Sequence, residues 1–395
     1  RARGWAARAA RMPAEWEPHE RTLVQWPSAV LLASGSPWPE LGMDGEDWLE
    51  EAHYEELVGF VSAASRYERV TVVVNTSDLQ DCQRRLGRLE AVDFLEVEHC
   101  SVWLRDVGPS FRVGGPDGLA AIAWQWHGYG SPTGSHGAFK HSTGRKELYQ
   151  NYCTRQWELF CNRDVTFSYR LAAELWCPEL VEPGIAFEGG AVVVDGEGTG
   201  LVVWKMLSRM GADSDDLAEL EDKLYEATGL EKIIWLPKGL EEQDDNSHAD
   251  MVCAFVAPAT VLLVANGERG EENFRALEGK KDAKGRPIRV FRVPYLPPSW
   301  SEAASSAVFG ALGRVYAVRD RSYANLAFVR SAVLLPSYGT PDADDEAERV
   351  LREALAAAGL AGDREVVRVP WRNLSRFGGS LRCVSLPVPS REAAA

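Results

Sequence analysis

Hydrophobic positions along the chain fall into short runs separated by polar, glycine-bearing connections. RVTVVV (69–74) is rich in β-branched residues and predicts a buried strand. Asn75, Thr76, Ser77 and Asp78 then offer helix-capping side chains, and the positions up to about Arg88 predict a helix. FLEVEH (94–99) predicts a second strand, with WLRDVGP after it. The order recurs. LVVW (201–204) predicts a strand, and Ser214 caps a helix with Asp215 and Asp216 in its first turn. Leu217, Leu220 and Leu224 share one face of that helix, and Gly229 lies past its end. KIIWLP (232–237) is the next strand, and a polar loop leads to DNSHADM. A third round runs through AVLLP (332–336), a helix near 343–358 stopped by Gly359, EVVRVP (365–370) and GGSLRC. VCAFVAPATVLLVAN, from Val252, is broken by Pro258 and reads as two core strands around a turn.

Strand–helix–strand units that each end in a loop of chemically capable residues predict an α/β fold. Similar units arranged in a ring would bring those loops to one centre; an ordinary open α/β sheet fits the same pattern. One echo favours repetition. FEGGAVVVD (187–195) and RFGGSLRCV (376–384) both set a glycine pair before a strand. Superposing the pairs puts Cys383 where Val194 lies.

Composition narrows the picture. A 395-residue chain that is 45% hydrophobic and 26% charged can bury a sizeable core. Its formal charge of -15 disfavours nucleic acid and anionic membrane as partners and favours a small cationic substrate. The cysteine count is seven, with no CxxC, no Cys/His zinc spacing and no HExxH. That predicts a reducing compartment, buried thiols and no structural metal. No apolar run is long enough to span a bilayer. Residues 1–11 read as a flexible extension and 12–395 as a single catalytic domain. The expected location is the cytoplasm; the Arg/Ala-rich start leaves a remnant of an organelle (plastid) transit peptide as the alternative.

The candidate chemistry lies in four segments: WLRDVGP with Asp106, FEGG with Glu188, SHADM with His248 and Asp250, and GGSLRC with Cys383. A thiol attacks as the thiolate, and nearby carboxylates oppose its ionisation. The set makes sense if the substrate is itself a cation. A guanidinium is planar, permanently charged and suited to carboxylates on two edges. Asp106 and Asp250 would hold it with its carbon facing Cys383. His248 would protonate the departing nitrogen and then activate water, and Glu188 would hold His248 cationic. His248 and Asp250 are two apart and would point to one side of an extended segment. Each residue also has an ordinary reading: a buried filler thiol, a loop histidine, a turn-capping aspartate, a surface glutamate.

These segments, with MPAEWEPHERTLVQWP (12–27), VVVDGEGT, EKIIWLPKGL and SYANLAFVRSAVLLPSYG, resemble agmatine deiminases in the same order. That family belongs to the guanidino-group-modifying (pentein) superfamily, together with bacterial-type peptidylarginine deiminases. The resemblance implies a five-bladed α/β propeller with pseudo-fivefold symmetry. It implies hydrolysis of agmatine to N-carbamoylputrescine and ammonia through a covalent Cys thiouronium, in putrescine and polyamine biosynthesis, with no metal or organic cofactor. By motif, Cys383 resembles the nucleophile, His248 the acid/base, Asp106 and Asp250 the guanidinium pair, and Glu188 the carboxylate that orients the histidine. Trp103 and Asn325 resemble substrate-pocket residues, and a homodimer is the implied assembly. The alternatives are a peptidylarginine or other alkylguanidine deiminase and a catalytically silent binding module of the same fold.

The chain departs from that family at Ser247 and Met251 and at residues 129–131, 204–208 and 385–387. It also has Leu381-Arg382 before the nucleophile, where Ile-His is common.

Overall fold

The computed structural model describes residues 10–27, 51–115, 118–126, 163–209, 216–240, 248–297, 299–300, 317–318, 321–377 and 379–390. Ser214 (expected as a helix cap), Asp215 (expected in the first turn), the departures at 129–131 and Ser247, and Gly378 of the second glycine pair lie outside these residues. Asp216, also expected in the first turn, is itself the N-cap residue of its helix.

Five sheets repeat one design. The first holds β1 (His19–Gln25), β2 (Val70–Val74) and β3 (Val92–Glu96), all parallel. Helices α1 (Glu51–Ser65) and α2 (Leu79–Leu86) make the crossovers that parallel pairing demands. In the second sheet a one-turn helix α3 (Leu104–Val107) leads into β4 (Ser110–Val113), which is antiparallel to β5 (Leu119–Ile122). Helix α4 (Phe167–Glu174) then returns the chain to β6 (Glu179–Val181), parallel to β5. The third sheet pairs β7 (Val192–Val194) with β8 (Thr199–Val203) and reaches β9 (Lys232–Leu236) through α5 (Met206–Arg209) and α6 (Leu217–Thr228). The fourth follows α7 (Ala249–Val252) with β10 (Cys253–Ala257), β11 (Thr260–Ala265), α8 (Gly267–Leu277) and β12 (Arg289–Pro294). A two-stranded ribbon, β13 (Ser299–Trp300) with β14 (Ala317–Val318), precedes the fifth. That sheet comprises β15 (Ala327–Val329), β16 (Ala332–Ser337) and, after α9 (Pro341–Ala357), β17 (Glu365–Pro370). The last strand, β18 (Ser385–Pro389), lies antiparallel to β1. The first sheet thereby gains its own antiparallel pair, made from the two ends of the described chain.

The recurrent unit is therefore an antiparallel pair, a helical crossover and a parallel strand, which agrees with the expected α/β blades. Local sequence explains the elements. Every residue of β2 is buried, as expected for a β-branched strand covered on both faces. Leu220 and Leu224 bury one stripe of α6, and Gly229 ends it at φ 70. A side chain on Gly229 would overlap the backbone of Ala10 and Arg11, which packs there. Arg11 exchanges backbone hydrogen bonds with Val113 at 2.9 and 2.8 Å. The extension expected over 1–11 is thus anchored at its last residue. The Pro258 break is a hairpin joining β10 to β11, with Ala259 at φ 52. Helix α8 has no clear signal in the sequence, because Gly267, Gly270 and a run of charges hide its periodicity.

Candidate active site

Short turns lead into the first strand of each antiparallel pair, and they carry the functional side chains. Asp106 sits on α3 before β4. Glu188 precedes the 3-10 turn Gly189–Ala191 before β7. His248 and Asp250 belong to α7 and its N-terminal flank before β10. Asn325 lies just before β15, and Cys383 lies in a turn just before β18. Each repeat thus supplies a group from the same place in its design, which is why residues so far apart in sequence meet. His248-Ala249-Asp250 is not the extended segment expected: Ala249–Val252 is one helical turn, and His248 precedes it in extended backbone at φ -76, ψ 130.

Gly190 marks the meeting point. A methyl group built on it would lie 2.7 Å from Asp106 Oδ1, 2.8 Å from His248 Nδ1 and 3.1 Å from Asp250 Oδ2. Glycine is needed here for space, not for an unusual backbone angle. Its N–H donates to Asp106 Oδ1 at 3.1 Å. His248 is flanked by acids, with Nδ1 3.7 Å from Asp106 Oδ1 and Nε2 3.5 Å from Glu188 Oε2. All four of Asp106, Glu188, His248 and Asp250 are buried.

Cys383 is also buried, its Sγ 3.9 Å from Asp250 Oδ2. Asn325 Nδ2 donates to Sγ at 3.2 Å and to the Asp250 carbonyl at 3.3 Å. Asn325 Oδ1 accepts from the Arg382 N–H at 3.0 Å. One amide therefore ties the sulfur to the turn that carries Asp250. The approach to Cys383 is fixed from below. Glu56 of α1 accepts N–H groups of Arg372, Asn373 and Leu374 at 2.6, 2.9 and 3.0 Å. Trp371 Nε1 donates to the Gly379 carbonyl at 3.1 Å, and Tyr338 Oη meets Ser380 Oγ at 3.0 Å. Trp103 is half-buried, and its ring fills the space that a side chain on Gly379 would need.

Two arginines next to site residues turn inward. Arg105 donates to both oxygens of Glu15, at 2.9 and 3.0 Å. Arg382 donates to Asp250 Oδ2 at 2.8 Å, Glu15 Oε1 at 3.2 Å and the Val192 carbonyl at 3.3 Å. Burial alone would raise the Glu15 carboxyl, but Arg105 and Arg382 outweigh it and hold the group at about 2. Burial, Asp250 and Asp106 push the Cys383 thiol well above its ordinary range. The site is thus built for a ligand that brings positive charge to the sulfur.

Sequence reasoning missed Glu15, Arg105 and Gly190 as site members. Arg105 carries a partial signal, since an arginine precedes both Asp106 and Cys383 and buried arginines need acids; nothing in the spacing singles out Glu15 or Gly190. Among the described residues no group of three or more His, Cys, Asp or Glu could hold a metal ion, and no helix is long and apolar enough to cross a membrane.

Comparison with known proteins gives the family of the chain. Residues 11–389 match the family described as Porphyromonas-type peptidyl-arginine deiminase. A curated agmatine deiminase of Stutzerimonas stutzeri (strain A1501) is 27% identical over 395 residues, covering 96% of this chain and 95% of the relative. One from Medicago truncatula is 28% identical over 406 residues, covering 96% of each. Among solved structures, the agmatine deiminase of Enterococcus faecalis superposes with a TM-score of 0.73 at 21% identity, covering 97% of this chain and 96% of that one. The C. jejuni agmatine deiminase gives 0.69 at 19% identity, covering 96% of each. These structural likenesses carry the fold.

Proposed function

Because the chain belongs to the Porphyromonas-type peptidyl-arginine deiminase family, we propose that it hydrolyses the guanidinium group of agmatine to N-carbamoylputrescine and ammonia. The observation that carries this reading is the placement of Cys383 Sγ 3.9 Å from Asp250 Oδ2, with Asp250, Asp106 and His248 gathered around Gly190. Curated relatives named agmatine deiminase across nearly the whole chain support the substrate.

Asp106 and Asp250 clamp the planar cation by its N–H edges. The bound positive charge favours the thiolate that the two acids otherwise oppose. Cys383 Sγ attacks the guanidinium carbon, forming a C–S bond and a tetrahedral adduct. His248 gives its proton to one nitrogen, the C–N bond breaks, and ammonia leaves behind a thiouronium. His248 next takes a proton from water, which attacks the same carbon. The C–S bond then breaks as the new hydroxyl gives its remaining proton to solvent, releasing the neutral ureido product and restoring the thiolate. Glu188 keeps His248 oriented for both transfers, while Asn325 steadies the sulfur and Trp103 lines the mouth. The product is one hydrolysis short of putrescine, which places the reaction in polyamine synthesis.

A second reading follows from the family description: the same chemistry on peptidyl-arginine. Ureido product measured side by side from agmatine, arginine and an arginyl peptide separates the two. Agmatine is expected to be turned over best, and equal or better turnover of the peptide overturns the agmatine assignment.

A further inference from the structure

Arg382 immediately precedes the sulfur-bearing residue, yet it neither reaches solvent nor stays idle. Its guanidinium is buried and spans three partners: Asp250 Oδ2, Glu15 Oε1 and the Val192 carbonyl. Two of these matter chemically. Asp250 Oδ2 is the carboxylate oxygen 3.9 Å from Cys383 Sγ, so the oxygen facing the sulfur is the one that Arg382 occupies. Asp250 Oδ1 is buried and accepts no hydrogen bond among the described residues, which leaves it for an incoming N–H. Glu15, already held by both arms of Arg105, keeps Arg382 from swinging into the site as a competing cation.

We propose that Arg382 is a positioning residue that acts electrostatically, dividing Asp250 into an oxygen neutralised beside the sulfur and an oxygen reserved for substrate. The inference rests on Cys383 being the nucleophile, not on agmatine being the substrate. Glu15 and Asp250 balance Arg105 and Arg382, two charges against two. Without Arg382 the cluster would turn an unopposed carboxylate toward Cys383. The ionisable groups around the sulfur are Asp250 on α7, Asp106 on α3 with His248 3.7 Å from it, Tyr338 after β16 and Arg382 itself. Arg382 is the permanent positive charge among them, whereas His248 gains and loses its proton, and the thiolate attracts the guanidinium in turn.

The test needs no guanidine. Carbamidomethylation of Cys383 by iodoacetamide is followed by mass spectrometry of its peptide from pH 6 to 10, on full-length protein whose thermal unfolding matches wild type. Arg382→Gln is expected to slow labelling about tenfold at each pH below the midpoint, a shift of about one unit. Arg382→Lys, which keeps the charge, is expected to stay within about threefold of wild type. A labelling profile for Arg382→Gln that overlays wild type overturns the proposal, as does a Lys variant as slow as Gln. Should Arg382→Gln not fold, Glu15→Gln tests the same point with the opposite sign, labelled well below its own lower unfolding midpoint and with the buried Cys253 remaining as unreactive as in wild type to exclude opening of the fold. This substitution frees Arg382 of one acid and should speed labelling, and a rate at or below wild type overturns the proposal. Loss of agmatine turnover alone leaves these labelling outcomes untouched, so the two readings fail separately.

Discussion

The turns ahead of β7 and β18 look alike in sequence and differ in shape. FEGGAVVVD passes from a 3-10 turn at Gly189–Ala191 straight into strand. In RFGGSLRCV a further turn at 381–384 intervenes, and β18 starts only at Ser385. Superposing the glycine pairs aligns Cys383 with Val194, a strand residue. Counting from the strands aligns it with Gly190 instead, since Gly190 precedes Val192 as Cys383 precedes Ser385. One turn thus delivers a sulfur where the other delivers a gap, and the gap lets Asp106, His248 and Asp250 crowd together. Arg382 links the two, reaching from its own turn to the carbonyl of Val192. Equivalent positions in a repeated fold need not hold equivalent chemistry.

The sulfur is the sharper half of the contrast. Cys383→Ser keeps the shape but offers a poor nucleophile, so ammonia release should fall by more than ~10⁴-fold while the midpoint of thermal unfolding stays near wild type. Appreciable turnover by this variant would remove Cys383 from the chemistry. The gap comes next. Gly190→Ala places a methyl group within 3.1 Å of three site side chains, and some of them must move. Turnover should drop ~10²–10³-fold, mainly in kcat, because positioning of the acid/base and the clamp is lost together. A variant with normal kcat would show that the crowding around Gly190 has no role.

Much of this architecture is legible in the amino-acid sequence. β2, the β10–β11 hairpin and β16 carry runs of Val, Leu and Ala that only a covered strand tolerates, and all three form where those runs predict. The pattern places the start of helix α9 near Ala343; it begins at Pro341, which is preset for a first helical position. Six residues named from motifs (Asp106, Glu188, His248, Asp250, Asn325 and Cys383) converge through the repeated turns. Where side chains point is not legible. Arg382 next to Cys383 could equally have faced solvent, and only the turn at 381–384 directs it to Asp250. Nor does spacing reveal that Glu15, near the start, closes a charge cluster with a residue near the end.

That cluster predicts a smaller, pH-dependent effect. The Glu15 carboxyl lies at about 2 in the folded protein against an ordinary 4.5. A lowered acid stabilises above its unfolded value and loses that stabilisation as pH falls from about 4.5 through about 2. The contribution is about 3 kcal/mol at neutral pH. Chemical denaturation of wild type and Glu15→Gln should differ by about that much at pH 7, and the gap should narrow below pH 4. A constant gap across this range would mean that the shared carboxylate does not anchor the two arginines.

The smallest effect belongs to the other glycine pair. Gly379 resembles Gly190 in having no need for a positive φ, but its missing side chain makes room for the Trp103 ring and not for the acid/base machinery. Gly379→Ala should therefore displace an aromatic wall while leaving Cys383 tied to Asn325 and Ser380. The expected result is a rise in KM of about tenfold for the preferred guanidine with kcat nearly unchanged, because only uniform binding is lost. Gly190→Ala should show the reverse pattern, a fall in kcat with little change in KM. If both substitutions act mainly on kcat, the two turns serve one purpose, and the division between a turn that makes room for chemistry and a turn that makes room for substrate would have to be abandoned.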